Sequence, residues 1–226
     1  MLRVILFDLD GTLMDTAPEI ADALNDTLRR LGLPEAAEEQ VRGWIGDGAR
    51  ALLGKALQSA GAPVAALDAA WAGFAVDYEQ RCGTRSRVHD GVRDMLQRVR
   101  QQGLHTVLLT NKEAAFAHRL LSHHDLLSEF DLIVAGDTLP QKKPHPSVVT
   151  YALAALHAEP DEALLVGDSL TDVRTARAAG IAVQLVRHGY PQGVLDGDDA
   201  PDGFIAHFDQ FQPHGSGSRS GRAAIA

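Results

Sequence analysis

Val4-Ile5-Leu6-Phe7-Asp8-Leu9-Asp10-Gly11-Thr12-Leu13 is the stretch on which the reading of this chain turns. Four apolar residues in unbroken succession predict a short strand buried on both faces. The run then ends in two carboxylates, a glycine and a hydroxyl. Carboxylates at the end of a buried strand are costly unless a cation or hydrogen-bond donors compensate them. This strand end is therefore a candidate reaction site rather than a plain turn.

Outward from it, apolar runs recur at Arg3–Phe7, Leu104–Leu109, Asp131–Ala135, Ala163–Val166, Ala182–Val186 and, more weakly, Gly203–Ala206. Most are continuous rather than alternating, the pattern of strands in a parallel sheet covered on both faces. Helical patterns separate them at Gly91–Gln102, Ala114–His123, Ser147–His157 and Leu170–Ala179, with Gly103 and Gly180 at the expected C-caps. The fold class is α/β, a Rossmann-like, mostly parallel sheet flanked by helices.

One segment breaks the alternation. From Thr16 to Arg87 the pattern is helical throughout, divided into about four short helices by glycines and prolines such as Gly32, Pro34, Gly61 and Pro63. Its start, Thr16-Ala17-Pro18-Glu19, has the spacing of a capping box with proline in the first turn. A block this long between the first two strands exceeds an ordinary crossover and predicts an inserted all-helical cap domain. The expected division is a catalytic core from 1–15 and 88–212, a cap from 16–87 and a disordered tail from 213–226, where nothing apolar is available to bury until the last few residues.

Net charge is −9, which argues against a nucleic-acid partner because phosphate backbones select basic stripes. A small anionic substrate stays compatible, since a local cation can reverse the field inside one cleft. No apolar stretch approaches the ~20 residues of a membrane helix, and no signal peptide is recognisable. With Cys82 as the single cysteine no internal disulfide can form, and no nucleophile-activating pattern surrounds it. A cytoplasmic protein, monomer or homodimer, is expected.

Four strand ends deliver chemistry-bearing residues: Asp8, Asp10 and Thr12; Thr110-Asn111-Lys112; Lys142-Lys143-Pro144-His145-Pro146; and Gly167-Asp168-Ser169-Leu170-Thr171-Asp172. Ligands of parallel α/β sheets bind outside the carboxyl ends of strands, so these groups should converge on one cleft. Asp8, Asp10, Asp168 and Asp172 together would repel one another and take up protons. A bound divalent cation resolves this, and hard oxygen donors with no Cys/His cluster favour Mg²⁺ over zinc. Lys143 supplies a further positive charge and is preferred to Lys142 because it directly precedes proline, where the chain is held extended before a helix.

These four segments resemble the motifs of the haloacid dehalogenase superfamily of phosphatases. The resemblance spans Arg3 to about Ala206, and within the superfamily it is strongest to phosphoglycolate phosphatases, through Asp15-Thr16-Ala17-Pro18, Trp44-Ile45-Gly46-Asp47-Gly48-Ala49 and Gly189-Tyr190. It implies Asp8 as nucleophile, forming an aspartyl-phosphate, and Asp10 as general acid and then general base. Thr110 and the Asn111 backbone N–H would hold phosphoryl oxygens and Lys143 would neutralise developing charge. Mg²⁺ would be bound by Asp8, the Asp10 carbonyl and Asp168, with Asp172 acting through water or orienting Lys143. Gly46, Gly48 and Arg50 would face the substrate from the cap, Arg50 pairing with its carboxylate. The implied substrate is a small phosphorylated metabolite, 2-phosphoglycolate first. One departure is His89 in His89-Asp90-Gly91-Val92, where such enzymes carry a proline; it bears on cap positioning, not chemistry.

Other readings are weaker. A β-phosphoglucomutase-like phosphomutase would share the chemistry and differ in where the phosphate goes. Dehalogenation is disfavoured by Asp10, since the superfamily's dehalogenases lack that second acid. A signalling receiver module would carry its phosphorylated Asp after a middle strand and no helical insertion. An EF-hand is excluded by the early glycine and by the missing glutamate at position twelve. Trp44 and Trp71 read as cap core, and His145 needs no functional role.

Overall fold

The computed structural model describes residues 1–63, 65–190 and 195–213. The expected disordered tail lies, apart from Pro213, outside the described residues. Six parallel strands form the sheet: β1 (Val4–Phe7), β4 (His105–Leu109), β5 (Leu132–Val134), β6 (Ala163–Gly167), β7 (Ala182–Val186) and β8 (Gly203–Ile205), in the spatial order β5-β4-β1-β6-β7-β8. Each lies within a residue of its expected bounds. β1 is central, Val4 to Phe7 are all fully buried, and its neighbours β4 and β6 come from far along the chain. Chain direction away from β1 reverses between these two neighbours, the switch point at which parallel sheets open a crevice.

Four further helices accompany the sheet: α5 (Val92–Gln101), α6 (Ala114–His123), α7 (Ser147–Ala155) and α8 (Leu170–Ala179). α5 and α6 bury Leu96, Val99, Leu120 and Leu121 in one apolar cluster, with Ile5 and Phe7. α7 and α8 bury Val149, Ala152, Val173 and Ala176 in a second, with Val4 and Leu6. Alternate β1 residues thus face opposite layers, as the two-residue period of a strand requires.

Between β1 and β4 stand α1 (Ala17–Arg30), α2 (Glu38–Arg42), α3 (Ala49–Ser59) and α4 (Ala66–Arg81). They share the first cluster through Leu24, Leu53, Phe74 and Tyr78. Tyr78 of α4 packs on Phe116 of α6 at 4.6 Å between ring centroids, seating the helical block on the core.

Two details differ from the sequence reading. The helical segment is entered and left through a ribbon of two short antiparallel strands, β2 (Met14–Asp15) and β3 (Arg87–Val88), so Arg87 belongs to a strand. The expected capping box at Thr16 and Glu19 does not form: Thr16 makes no side-chain cap bond. The hydroxyl of Tyr190 instead accepts the Thr16 and Ala17 N–H groups, at 2.8 and 3.0 Å. Glu19 is fully buried and accepts the backbone N–H groups of Gly83, Arg85 and Ser86. Both side chains are drawn into tertiary bonds, which outcompete a local cap.

Candidate active site

Asp8 follows the last residue of β1, and its N–H bonds the carbonyl of Val166 in β6. That bond places the Asp8 side chain beside the end of β6, where Asp168 and Asp172 sit. Oxygens of Asp8, Asp168 and Asp172 lie within 4.8 Å of one another, all buried. Lys143 brings the balancing charge: its Nζ is 2.9 Å from Asp8 Oδ1 and 2.7 Å from Asp172 Oδ1. Lys143 is joined to Pro144 by a cis peptide. The neighbouring Lys142 turns away and donates to the Asp47 carbonyl in the helical segment.

Asp172 is committed on both sides. One oxygen holds Lys143; the other accepts the N–H groups of Asp168 and Ser169 and the Ser169 hydroxyl. It therefore fixes the Lys143 ammonium and the start of α8 together. Asp168 accepts the N–H of Tyr190 at 2.8 Å. The loops around Asp168 approach it too closely for a side chain: a Cβ on Gly11 or Gly189 would fall 2.2 or 2.1 Å from Asp168 atoms, and Gly11 also holds φ +82°.

Burial pushes the Asp8 carboxyl up to about 6; Lys143 opposes this and Asp172 reinforces it. Burial, with Asp172 and Asp8 adding repulsion, raises Asp168 well above the carboxylate range. Burial alone would lower Lys143, but Asp172 and Asp8 outweigh it and hold the ammonium above its ordinary value.

Asp10 points elsewhere. Its carboxylate accepts Thr16 Oγ1 at 2.6 Å and Lys112 Nζ at 2.8 Å on each oxygen. Lys112 is buried and stands 5.0 Å from the Tyr78 ring centroid. Burial would lower its ammonium, yet Asp10 outweighs this and keeps it raised. Sequence reasoning assigned Lys112 no role, although its position straight after Thr110-Asn111 at a strand end was the available signal.

A cavity of ≈ 30 Å³ lies between these residues and the helical segment. Asp8, Asp10, Thr110, Asn111 and Lys112 form its polar floor, while Ile20, Ile45, Ala49, Leu52 and Phe74 form an apolar wall. Gly46 and Gly48 also line it, and the Asn111 side-chain amide donates to the Gly46 and Lys143 carbonyls. Arg50 is not among the lining residues; it pairs with Asp68 at the surface and lies over Trp71. Cys82 stands behind the site with its thiol pushed up by burial to about 12, which makes it inert.

In all, four carboxylates face two ammoniums. With all four ionised the excess is two negative charges on hard oxygen donors, which fits one divalent cation of the Mg²⁺ type. Among the described residues no helix is long and apolar enough to cross a membrane.

The same architecture occurs in known proteins. A phosphoglycolate phosphatase of Nitrosococcus oceani is 37% identical over 206 residues, spanning 90% of this chain and 92% of its own. One of Pseudomonas putida is 40% identical over 195 residues, spanning 84% and 71%. A crystal structure described as a predicted phosphoglycolate phosphatase, from Haemophilus somnus 129PT, superposes with a TM-score of 0.84 at 29% identity, covering 92% of this chain and 95% of that one. A β-phosphoglucomutase described as putative, from Thermotoga maritima, superposes at 0.70 with 24% identity over 90% of this chain and 94% of its own, a likeness of fold alone. Residues 5–186 match the haloacid dehalogenase-like hydrolases, and the chain is an enzyme of that family.

Proposed function

We propose that the protein is a Mg²⁺-dependent phosphatase of small phosphomonoesters, with 2-phosphoglycolate as its best substrate. The observation that carries this reading is the Asp8 carboxylate held between Lys143 and the Asp168–Asp172 pair at the end of β1. The cation would be held by Asp8, the main-chain carbonyl of Asp10 and Asp168, while Asp172 serves it indirectly by fixing Lys143. When bound, it supplies Lewis-acid polarisation of the phosphoryl group and relieves the repulsion among the carboxylates.

Asp8 attacks phosphorus, the bond to the ester oxygen breaks, and an aspartyl-phosphate forms. Lys143 offsets the charge that builds on the equatorial oxygens, and Thr110 with the Asn111 N–H holds them in place. Asp10 gives a proton to the departing alkoxide and then takes one from the water that cleaves the phosphoenzyme. Ile20, Ile45, Leu52 and Phe74 of the helical segment cover the polar floor, which suits a metabolite rather than a polymer or protein substrate. The protein would act in the cytoplasm as a monomer or homodimer.

The test is a panel of about 50 metabolite phosphates offered to the Mg²⁺-loaded protein, with Asp8→Asn as blank. Inorganic phosphate should appear, and 2-phosphoglycolate should rank among the best. Rapid acid quench during turnover should trap the phosphoryl group covalently on Asp8, and in ¹⁸O-water the label should leave in inorganic phosphate. No phosphate from any ester would end the proposal, and isomerisation of a hexose phosphate faster than its hydrolysis would replace it with a mutase.

A further inference from the structure

The polar floor of the cavity holds a cation that the proposed chemistry leaves unused. Lys112 is 3% exposed at its side chain, and two of its three ammonium protons go to the two oxygens of Asp10. A buried lysine needs a carboxylate partner at all times, because an unpaired buried ammonium is costly. Yet Asp10 must turn toward the ester oxygen when a substrate is present, and Lys112 then loses its partner unless the substrate supplies another.

The opposite wall supplies none. Ile20, Ile45, Leu52 and Phe74 face the cavity from the helical segment, and no lysine or arginine of that segment lines it. Arg50, the cation expected to meet a substrate carboxylate, is engaged by Asp68, and Lys55 by Asp47. Among the described residues lining this cavity, Lys112 is the one side-chain cation that an anionic group bound beside the phosphoryl site would meet; Lys142 near Gly48 is engaged by the Asp47 carbonyl. Because Lys112 directly follows Thr110 and Asn111, that group must sit close to the phosphoryl group.

We propose that Lys112 determines specificity by exchanging Asp10 for a carboxylate on the substrate, so that only a short phosphomonoester carrying a second anionic group releases Asp10 to the ester oxygen. The exchange keeps the ammonium paired before and after binding. An ester without a carboxylate leaves Lys112 and Asp10 bonded to each other and is turned over slowly. The inference rests on the phosphatase reading above and names the residue that selects its substrate.

The experiment compares kcat/KM for 2-phosphoglycolate and for ethyl phosphate, which has the same carbon chain without the carboxylate, in the Mg²⁺-loaded protein and in Lys112→Met and Lys112→Arg. In Lys112→Met Asp10 is free for either ester and the partner of the carboxylate is gone, so the advantage of 2-phosphoglycolate over ethyl phosphate should shrink. The ratio should fall about 30-fold in Lys112→Met, the size expected for one hydrogen bond to a charged group, and recover in part in Lys112→Arg. A ratio within about 3-fold of the unsubstituted protein overturns the proposal and leaves Lys112 as a partner of Asp10 only. If Lys112→Met fails to fold, the unsubstituted protein decides the matter with the amide of 2-phosphoglycolate, which keeps the size of the carboxylate and removes its charge. A drop of about 30-fold or more is expected, and equal efficiency sinks the idea. Equal hydrolysis of all three esters leaves the phosphatase reading intact; hydrolysis of none takes both down.

Discussion

Glu19 Oε2 lies 2.9 Å from the backbone nitrogen of Ser86, although 67 positions separate the two residues. The same oxygen accepts the N–H groups of Gly83 and Arg85. One carboxylate in α1 thus ties down the return from α4 to β3 and holds the entrance and exit of the helical segment together. Glu19→Ala leaves three N–H groups without this partner and should cost about 3 kcal/mol, a fall of roughly 10 °C in Tm. Urea unfolding of the two proteins checks it; a difference below about 1 kcal/mol would show that water replaces the carboxylate freely.

The acid cluster gives the nucleophile variant an unusual stability. Lys143 keeps Asp172 when Asp8 is replaced, while the repulsion of Asp8 with Asp172 and Asp10 disappears. Asp8→Asn should therefore abolish turnover, by about 10⁴-fold or more, and leave the metal-free protein as stable as the unsubstituted one or more so. Asp172→Asn weakens the hold on Lys143 and should lose both rate and about 3 kcal/mol of stability. Thermal melts of both in chelator, beside the rates with Mg²⁺, test the contrast, and a destabilised Asp8→Asn protein would contradict it.

Cation and proton compete for the same oxygens. The folded Asp8 carboxyl keeps its proton up to about 6, whereas an ordinary aspartate loses it near 3.8. In metal-free protein this group's contribution to stability therefore weakens as pH rises between those values. A divalent cation must displace the proton, so the rise in Tm on adding Mg²⁺ should be largest near pH 8 and should shrink toward pH 5. A Mg²⁺-dependent rise that is flat across this range would contradict the assignment, as would turnover that survives EDTA.

His89 works in the opposite sense. Burial pushes its imidazole down to about 4, helped by His188 and Arg42 and opposed by Asp15 and Asp90. The two histidine rings are 4.0 Å apart, and His89 Nε2 has no hydrogen-bond partner. The unfolded chain takes up a proton near 6.5 that the folded one refuses until about 4, so this group's share of stability is complete above 6.5 and is lost as pH falls through that window. His89→Gln should flatten the decline in urea midpoint between pH 7 and 4.5 relative to the unsubstituted protein. Parallel profiles would show that His89 has no part in it.

The sheet was legible in the sequence because strands covered on both faces are near-continuously apolar, β1 and β6 throughout, β4 from Val107 on and β7 but for Gln184. The convergence of Asp8, Lys143, Asp168 and Asp172 followed from where parallel strands end. The β2–β3 ribbon was not legible, since two residues per strand carry no periodicity. Thr16 and Glu19 had the spacing of a local cap, and nothing in the sequence says that Tyr190 and the 83–86 backbone will engage that end of α1 instead. The same limit separates Arg50 from Lys112. Both are cations near a motif, and only the packing of Tyr78 and Asp10 around Lys112 distinguishes the buried one.

β1 joins only strands that come much later in the chain, and Lys143 and Asp168 are as far along it. A ribosome needs roughly ten to thirty seconds between Asp8 and Asp168 at ordinary elongation rates. During that interval Asp8 is without the ammonium and the acid that the finished fold sets beside it. A chain that stops short of Lys143 and Asp168 thus lacks the arrangement on which the proposed activity depends.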